Sequence, residues 1–155
     1  LVVRGSNVMR GYWRMPEETD RVLRPGPIQG ERVFYTGDLF RQDDDGFLYF
    51  MGRVDDVIKT RGEKVSPREV ENALHSHPAV AEAAVVGVPD DLLGQAVKAF
   101  VVLKPGTDVS ARDLRRHCAR QLEDYMVPQF IECRDRLERT EHGKIDRRQL
   151  EEVLV

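Results

Sequence analysis

The chain has 155 residues, a formal net charge of −3 and 33% charged residues, enough for one ordinary domain with a real core but small for an enzyme holding several distinct substrate sites. The near-balanced charge supplies no broad basic field for nucleic acid or an anionic membrane. No apolar run approaches the roughly 20 residues that span a bilayer, and no charged-then-apolar leader marks export, so a cytoplasmic location is expected.

Leu1 to Gly5 reads as the middle of a strand, which makes a piece of a longer protein the expectation. Residues 1–53 carry further strand signals: Pro25-Gly26-Pro27 and Gln29-Gly30 punctuate the chain before Arg32 to Thr36. A hairpin follows, with Phe40-Arg41-Gln42 and Phe47 to Phe50 flanking Asp43-Asp44-Asp45-Gly46. Asp and Gly there supply a turn, and the acid cluster lacks the downstream Glu of a calcium loop. This first stretch is expected to be all β.

After Arg53 strands and helices alternate. Val57-Ile58-Lys59 is a strand, and Ser66-Pro67-Arg68-Glu69 opens a helix as a capping box with Pro in the first turn, placing Val70, Ala73 and Leu74 on one face. Val80 to Val88, ended by Pro89-Asp90, and Val97 to Leu103, ended by Pro105-Gly106, read as buried strands. Ser110 caps a second helix with Leu114, Cys118 and Leu122 as its stripe before Pro128 forbids continuation. Phe130 to Cys133 is a short strand, Leu137 to Gly143 an exposed polar loop, and Asp146 caps a last helix reaching Leu150. The expected fold is α+β: a compact C-terminal domain over 54–155, small sheets flanked by helices, joined by a short hinge to the β-rich 1–53. Cys118 and Cys133 form no CxxC pair and are expected to be buried thiols.

Three places carry possible chemistry. Tyr35-Thr36-Gly37-Asp38 ends a strand in a glycine turn whose carboxylate suits the paired hydroxyls of a ribose, or else simply caps the turn. Gly52-Arg53-Val54-Asp55-Asp56 followed by Lys59-Thr60-Arg61-Gly62-Glu63-Lys64 is a cation-rich strand and turn, which surface ion pairs and turn geometry also explain. Lys144 sits after Gly143 in a polar loop without the pattern of a P-loop. His75 and His77 share no helical face, and His117 and His142 have no nucleophile elbow to serve, so neither a zinc site nor a Ser/His/Asp triad is expected.

In order and spacing, Tyr35 to Leu39, Gly52 to Lys64 and Gly143-Lys144-Ile145-Asp146-Arg147 resemble the motifs of the AMP-forming acyl ligases, the superfamily of acyl-CoA synthetases, peptide-synthetase adenylation domains and luciferases. Val8 to Trp13 and Val85 to Asp90 extend the resemblance over nearly the whole chain. It implies that 1–53 ends a large N-terminal domain and that 54–155 is a mobile lid. It further implies that Asp38 and Arg53 hold the ATP ribose and its phosphate side, that Asp55 is a pivot, and that Gly62 lets the backbone approach a pantetheine arm. Cations near Gly62, Lys64 among them, would meet the phosphates of the nucleotide or CoA, Lys59 would face the active site in the second half-reaction, and Lys144 would enter the site for adenylation. The implied substrates are a carboxylic acid, ATP with Mg²⁺, and CoA or an acyl carrier protein's phosphopantetheine thiol. The phosphate loop and acyl pocket of the family are not in this sequence, so these residues alone are expected to be inactive. The run Val57 to Pro67 looks more like free-standing ligases than peptide-synthetase domains. A non-catalytic carrier-docking module is the rival from another class.

Overall fold

The computed structural model describes residues 1–152. The chain divides into two compact units, Leu1–Asp55 and Asp56–Val155.

The first unit holds a three-stranded antiparallel sheet, β1 (Val2–Val3), β3 (Arg32–Tyr35) and β2 (Leu23–Pro25) in that order, and a separate hairpin, β4 (Asp38–Gln42) with β5 (Leu48–Arg53). Asp43 closes the hairpin turn, accepting from the Phe47 amide at 2.8 Å and the Tyr49 hydroxyl at 2.8 Å. The Tyr49 hydrogen bond holds the Asp43 carboxyl below its ordinary range. Contrary to the all-β expectation, the unit contains a helix, α1 (Pro16–Val22). Pro16 begins it, Glu17 and Glu18 lie in its first turn and Arg21 in its last, an arrangement that complements the helix dipole. At seven residues it is too short to show a 3.6-residue apolar period. Tertiary contact fixes it instead: Thr19 accepts from the Tyr12 amide at 2.9 Å, and a Cβ on Gly11 would meet Thr19 Cγ2 at 2.7 Å.

The second unit is built on the long antiparallel pair β8 (Val80–Asp90) and β9 (Gly94–Leu103). β10 (Phe130–Cys133) lies parallel to β9, and the short hairpin β6 (Ile58–Thr60) with β7 (Glu63–Val65) joins through Thr60 opposite Gly94. Both faces of this sheet are apolar, which is why its strands read as continuous hydrophobic runs. On one face Ala83, Val85, Val97, Ala99 and Val101 pack with α2 (Pro67–His75) and α3 (Ala111–Cys118) through Val70, Leu74, Leu114 and Cys118. On the other, Ala84, Val86, Val88, Ala96 and Phe100 meet Leu137 and Leu150, the latter on α4 (Arg147–Glu152).

Several local expectations need correction. Leu137, expected in an exposed loop, is 5% exposed because it fills the second face of the sheet. Cys133, expected to be buried, is exposed at the end of an outer strand, whereas Cys118 is buried and its thiol pushed up to about 11 by desolvation. Helix α3 stops at Cys118, so Leu122 packs on the core from beyond its end. Ser66 occupies the N-cap of α2 without a side-chain capping bond, whereas Ser110 does cap α3, accepting from the Asp113 amide at 3.1 Å.

Glu132 on β10 bonds Lys98 at 2.8 Å and Arg134 at 2.8 Å, and these cations lie over the Phe100 ring at 4.7 and 4.4 Å. The Lys98 hydrogen bond, then that of Arg134, holds the Glu132 carboxyl below its ordinary range against the opposing effect of desolvation. A depressed carboxyl stabilises the fold above its unfolded pKa, and that contribution is lost as pH falls through the folded value. Glu132→Gln is therefore expected to cost about 1 kcal/mol or less at pH 7, since the pair is partly exposed. The gap to wild type should begin to narrow below the ordinary glutamate value of about 4.3 and close as pH falls through the depressed folded value. Urea midpoints at neutral and acid pH check this, and a gap unchanged by acid contradicts it.

Candidate functional site

In the first unit Asp38 and Arg53 are brought together by strand register. They are partners across β4 and β5, and Arg53 Nη1 donates to Asp38 Oδ1 at 3.0 Å. Arg53 Nη2 also lies 3.7 Å from Asp55 Oδ2, so one guanidinium stands between two carboxylates. The turn before it is tightly specified. Thr36 Oγ1 accepts from the Asp38 amide at 3.0 Å, and the Val54 amide donates to the Gly37 carbonyl at 2.8 Å. Gly37 has φ 75°, a backbone conformation that favours glycine, and a Cβ there would sit 2.9 Å from Arg53 Nη2, so a side chain would displace the guanidinium from its place beside Asp38. The Asp38 side chain is 28% exposed and that of Asp55 81%. This is a polar shelf with acceptors and a donor at one edge, suited to a vicinal diol. Asp55 lies in a turn at the end of the unit.

In the second unit the β6–β7 turn has positive φ at Arg61 (54°) and Gly62 (82°), the backbone of a two-residue hairpin turn whose twist matches its strands. Strand alternation turns Ile58, Thr60 and Val65 inward, all at 2% exposure or less, and leaves Lys59, Gly62 and Lys64 exposed. Lys59 and Lys64 are direct cross-strand partners. Like charges so placed repel, and among the described residues neither ammonium has an ion-pair partner, so this edge presents two uncompensated cations. A Cβ on Gly62 would meet nothing within 4 Å, so here glycine answers to the positive φ and leaves open space above the turn.

Lys144 lies in a second small hairpin. Arg139 bridges Ile145, the Thr140 amide donates to the Lys144 carbonyl at 2.7 Å, and the Gly143 amide donates to the Thr140 carbonyl at 2.8 Å. Arg139 grips the peptide before Lys144, donating to the Gly143 carbonyl at 2.9 Å, and is itself held by Glu82 of β8 at 2.6 Å. Buried Leu137 and Leu150, with half-buried Ile145, seat the segment on the second sheet face, while Lys144 is exposed. Asp146 Oδ1 accepts from the Arg148 amide at 3.2 Å as α4 begins. The Lys59–Lys64 hairpin and the Lys144 hairpin are seated by different clusters, and among the described residues no hydrogen bond or ion pair joins them.

Arg147 enters the sequence reading only as the last residue of the closing motif and Glu71 not at all, since a charge pair 76 positions apart leaves no local signal; in the structure they meet at 2.6 Å. His117 Nε2 lies 2.8 Å from Ser76 Oγ, but its neighbours are the Ala73 carbonyl and Gln121, which makes this a helix-end contact between α2 and α3 rather than a triad. Among the described residues no cluster of three or more His, Cys, Asp or Glu is arranged to hold a metal ion, and no helix is long and apolar enough to cross a membrane.

Residues 69–144 match the model of the AMP-binding enzyme C-terminal domain. The chain is 44% identical over 150 residues to a long-chain-fatty-acid–CoA ligase of Bacillus subtilis, covering 97% of this chain and 26% of the ligase. It is 40% identical to surfactin synthase subunit 1 of the same organism, covering 97% of this chain but 4% of that protein. Among solved structures, o-succinylbenzoate CoA synthetase from Bacillus subtilis, in complex with its acyl-adenylate intermediate, superposes with a TM-score of 0.84 at 38% identity, covering 96% of this chain and 29% of that one. The chain thus spans about a quarter of the length of the ligase it matches. With motifs, fold and relatives in agreement, the chain belongs to the AMP-forming acyl ligases and carries their C-terminal domain.

Proposed function

We propose that this chain is the C-terminal part of an ATP-dependent, AMP-forming acid–thiol ligase, in which 1–53 completes a large N-terminal domain and 54–155 is a mobile lid. The observation that carries the reading is the presence of two separately seated, exposed cationic elements on one unit whose boundary falls at Asp55. In the first half-reaction the substrate carboxylate attacks the α-phosphorus of ATP and pyrophosphate leaves. Lys144 touches both the carboxylate and the α-phosphate, neutralising charge that grows as phosphorus becomes five-coordinate. Asp38 accepts from the ribose hydroxyls, and Arg53, already paired with it, faces the phosphate side. Mg²⁺ accompanies ATP as a phosphate counter-ion.

Rotation about Asp55, a residue at the end of its unit, then withdraws Lys144 and brings the β6–β7 hairpin forward. There the thiol sulfur attacks the acyl carbon and AMP leaves. Gly62 leaves a path for pantetheine, while Lys59 and Lys64 meet phosphates of the nucleotide or CoA. The acceptor is CoA or a carrier protein's phosphopantetheine, and the place is the cytoplasm. The likeness to surfactin synthase favours, as a second reading, the adenylation domain of a modular synthetase. These 155 residues alone should not adenylate an acid.

In the full-length enzyme, Lys144→Ala is expected to lower acid-dependent ATP–pyrophosphate exchange by about 10²–10³-fold. Conversion of preformed acyl-adenylate and thiol should stay near wild type, and equal loss in both assays rules out this assignment. Gly62→Asn tests the other tool. Asn visits positive φ readily and finds open space there, so the thermal midpoint should hardly move. Thioester formation should nonetheless fall by about tenfold or more, as misplacement near a reacting centre can cost. An unchanged thioester rate removes Gly62 from the thiol path.

A further inference from the structure

Arg147 makes a junction for which the two half-reactions supply no explanation. It opens α4, three positions after Lys144, and its Nη2 donates to Glu71 Oε1 on α2 at 2.6 Å. The same Glu71 oxygen accepts from the Val85 amide of β8 at 3.0 Å. Arg147 Nη1 reaches Asp56 Oδ2 at 3.5 Å, a contact across 91 positions to the first residue of the second unit. Its Nε is buried and, among the described residues, makes no hydrogen bond. A guanidinium that leaves one donor desolvated is placed by its other contacts, here the carboxylates of Asp56 and Glu71, with the Glu71 side chain only 12% exposed.

We infer that Arg147 is a positioning residue for Lys144: it fixes the lysine hairpin to the chain just past Asp55, so that rotation there delivers the ammonium without slack. The inference rests on the ligase reading above. Arg147 is separated from Lys144 only by Ile145 and Asp146, and the Lys144 carbonyl is itself tied to the Thr140 amide, so little backbone freedom lies between clamp and ammonium. Placement matters here because Lys144 has to touch two reacting groups at once, and an error near 1 Å costs about 10²-fold. The β6–β7 hairpin is held by other contacts, including Thr60 paired with Gly94 and the Arg61 amide on the Leu93 carbonyl at 3.0 Å. Loosening Arg147 should therefore leave the thiol step alone.

Two variants of the full-length enzyme test this. Arg147→Lys keeps the charge but cannot span both carboxylates, and the double variant Glu71→Gln with Arg147→Ala leaves no charged Glu71 buried without its cation, which protects folding. For both, kcat of acid-dependent ATP–pyrophosphate exchange should fall by about 10- to 100-fold with KM for ATP within about twofold. Thioester formation from preformed acyl-adenylate should stay within about threefold. Hydrogen exchange over 138–146 should quicken while β9 stays protected. Equal loss in both half-reactions, full retention of exchange activity, or unchanged hydrogen exchange over 138–146 overturns the inference. Failure of the ligase reading looks different: wild type itself would lack acid-dependent exchange, and hydrogen exchange would still decide whether Arg147 secures the hairpin.

Discussion

The second unit depends on one constraint, that the β8–β9 pair is apolar on both faces and has to be covered twice. Helices α2 and α3 cover one side. The other is covered by the C-terminal segment, through Leu137 and Leu150. Burying a side chain of that size contributes about 1.5–3 kcal/mol, far more than the polar contacts of the loop between them. Lys144 is exposed in a polar stretch, while Leu137 and Leu150 on either side of it are buried: the lysine is presented by a strap whose ends are pinned in the core.

Polar contacts then set direction where burial sets location. Arg139 holds the peptide preceding Lys144 against β8, and Arg147 holds the turn into α4 against α2 and Asp56. The β6–β7 hairpin is built differently. Its inward residues Ile58 and Val65 belong to the first cluster, and its tip is shaped by consecutive positive φ angles. Two exposed cationic elements thus share one strand pair while drawing on different apolar clusters. In the first unit, register performs the corresponding task, setting Asp38 opposite Arg53 beside a glycine held at positive φ.

Much of this was legible in residue order because the physics involved is local. Continuous apolar runs gave β8 and β9, Ser110 gave the start of α3, and Asp43 to Gly46 gave the hairpin turn. The candidate site residues were legible mainly as motifs, since Asp38, Arg53, Gly62 and Lys144 each also admit an ordinary structural explanation. What escaped was nonlocal. Helix α1 is too short for periodicity and is fixed by Thr19 against Gly11. Leu137 sits in a polar stretch, and its burial follows only from the unmet face of a distant sheet. Cys133 is exposed because β10 is an outer strand, a matter of strand order rather than composition. The contacts of Arg147 with Asp56 and Glu71 connect parts of the chain that no sequence window contains.

The central claim is that one unit, swivelling at Asp55, supplies different groups to successive reactions. Its most direct measurement is to replace Asp55 with proline in the full-length enzyme, fixing φ at the swivel, and to assay adenylation and thioester formation separately. The account predicts that one half-reaction collapses while the other stays within a few-fold of wild type. Equal retention or equal loss of both would contradict it.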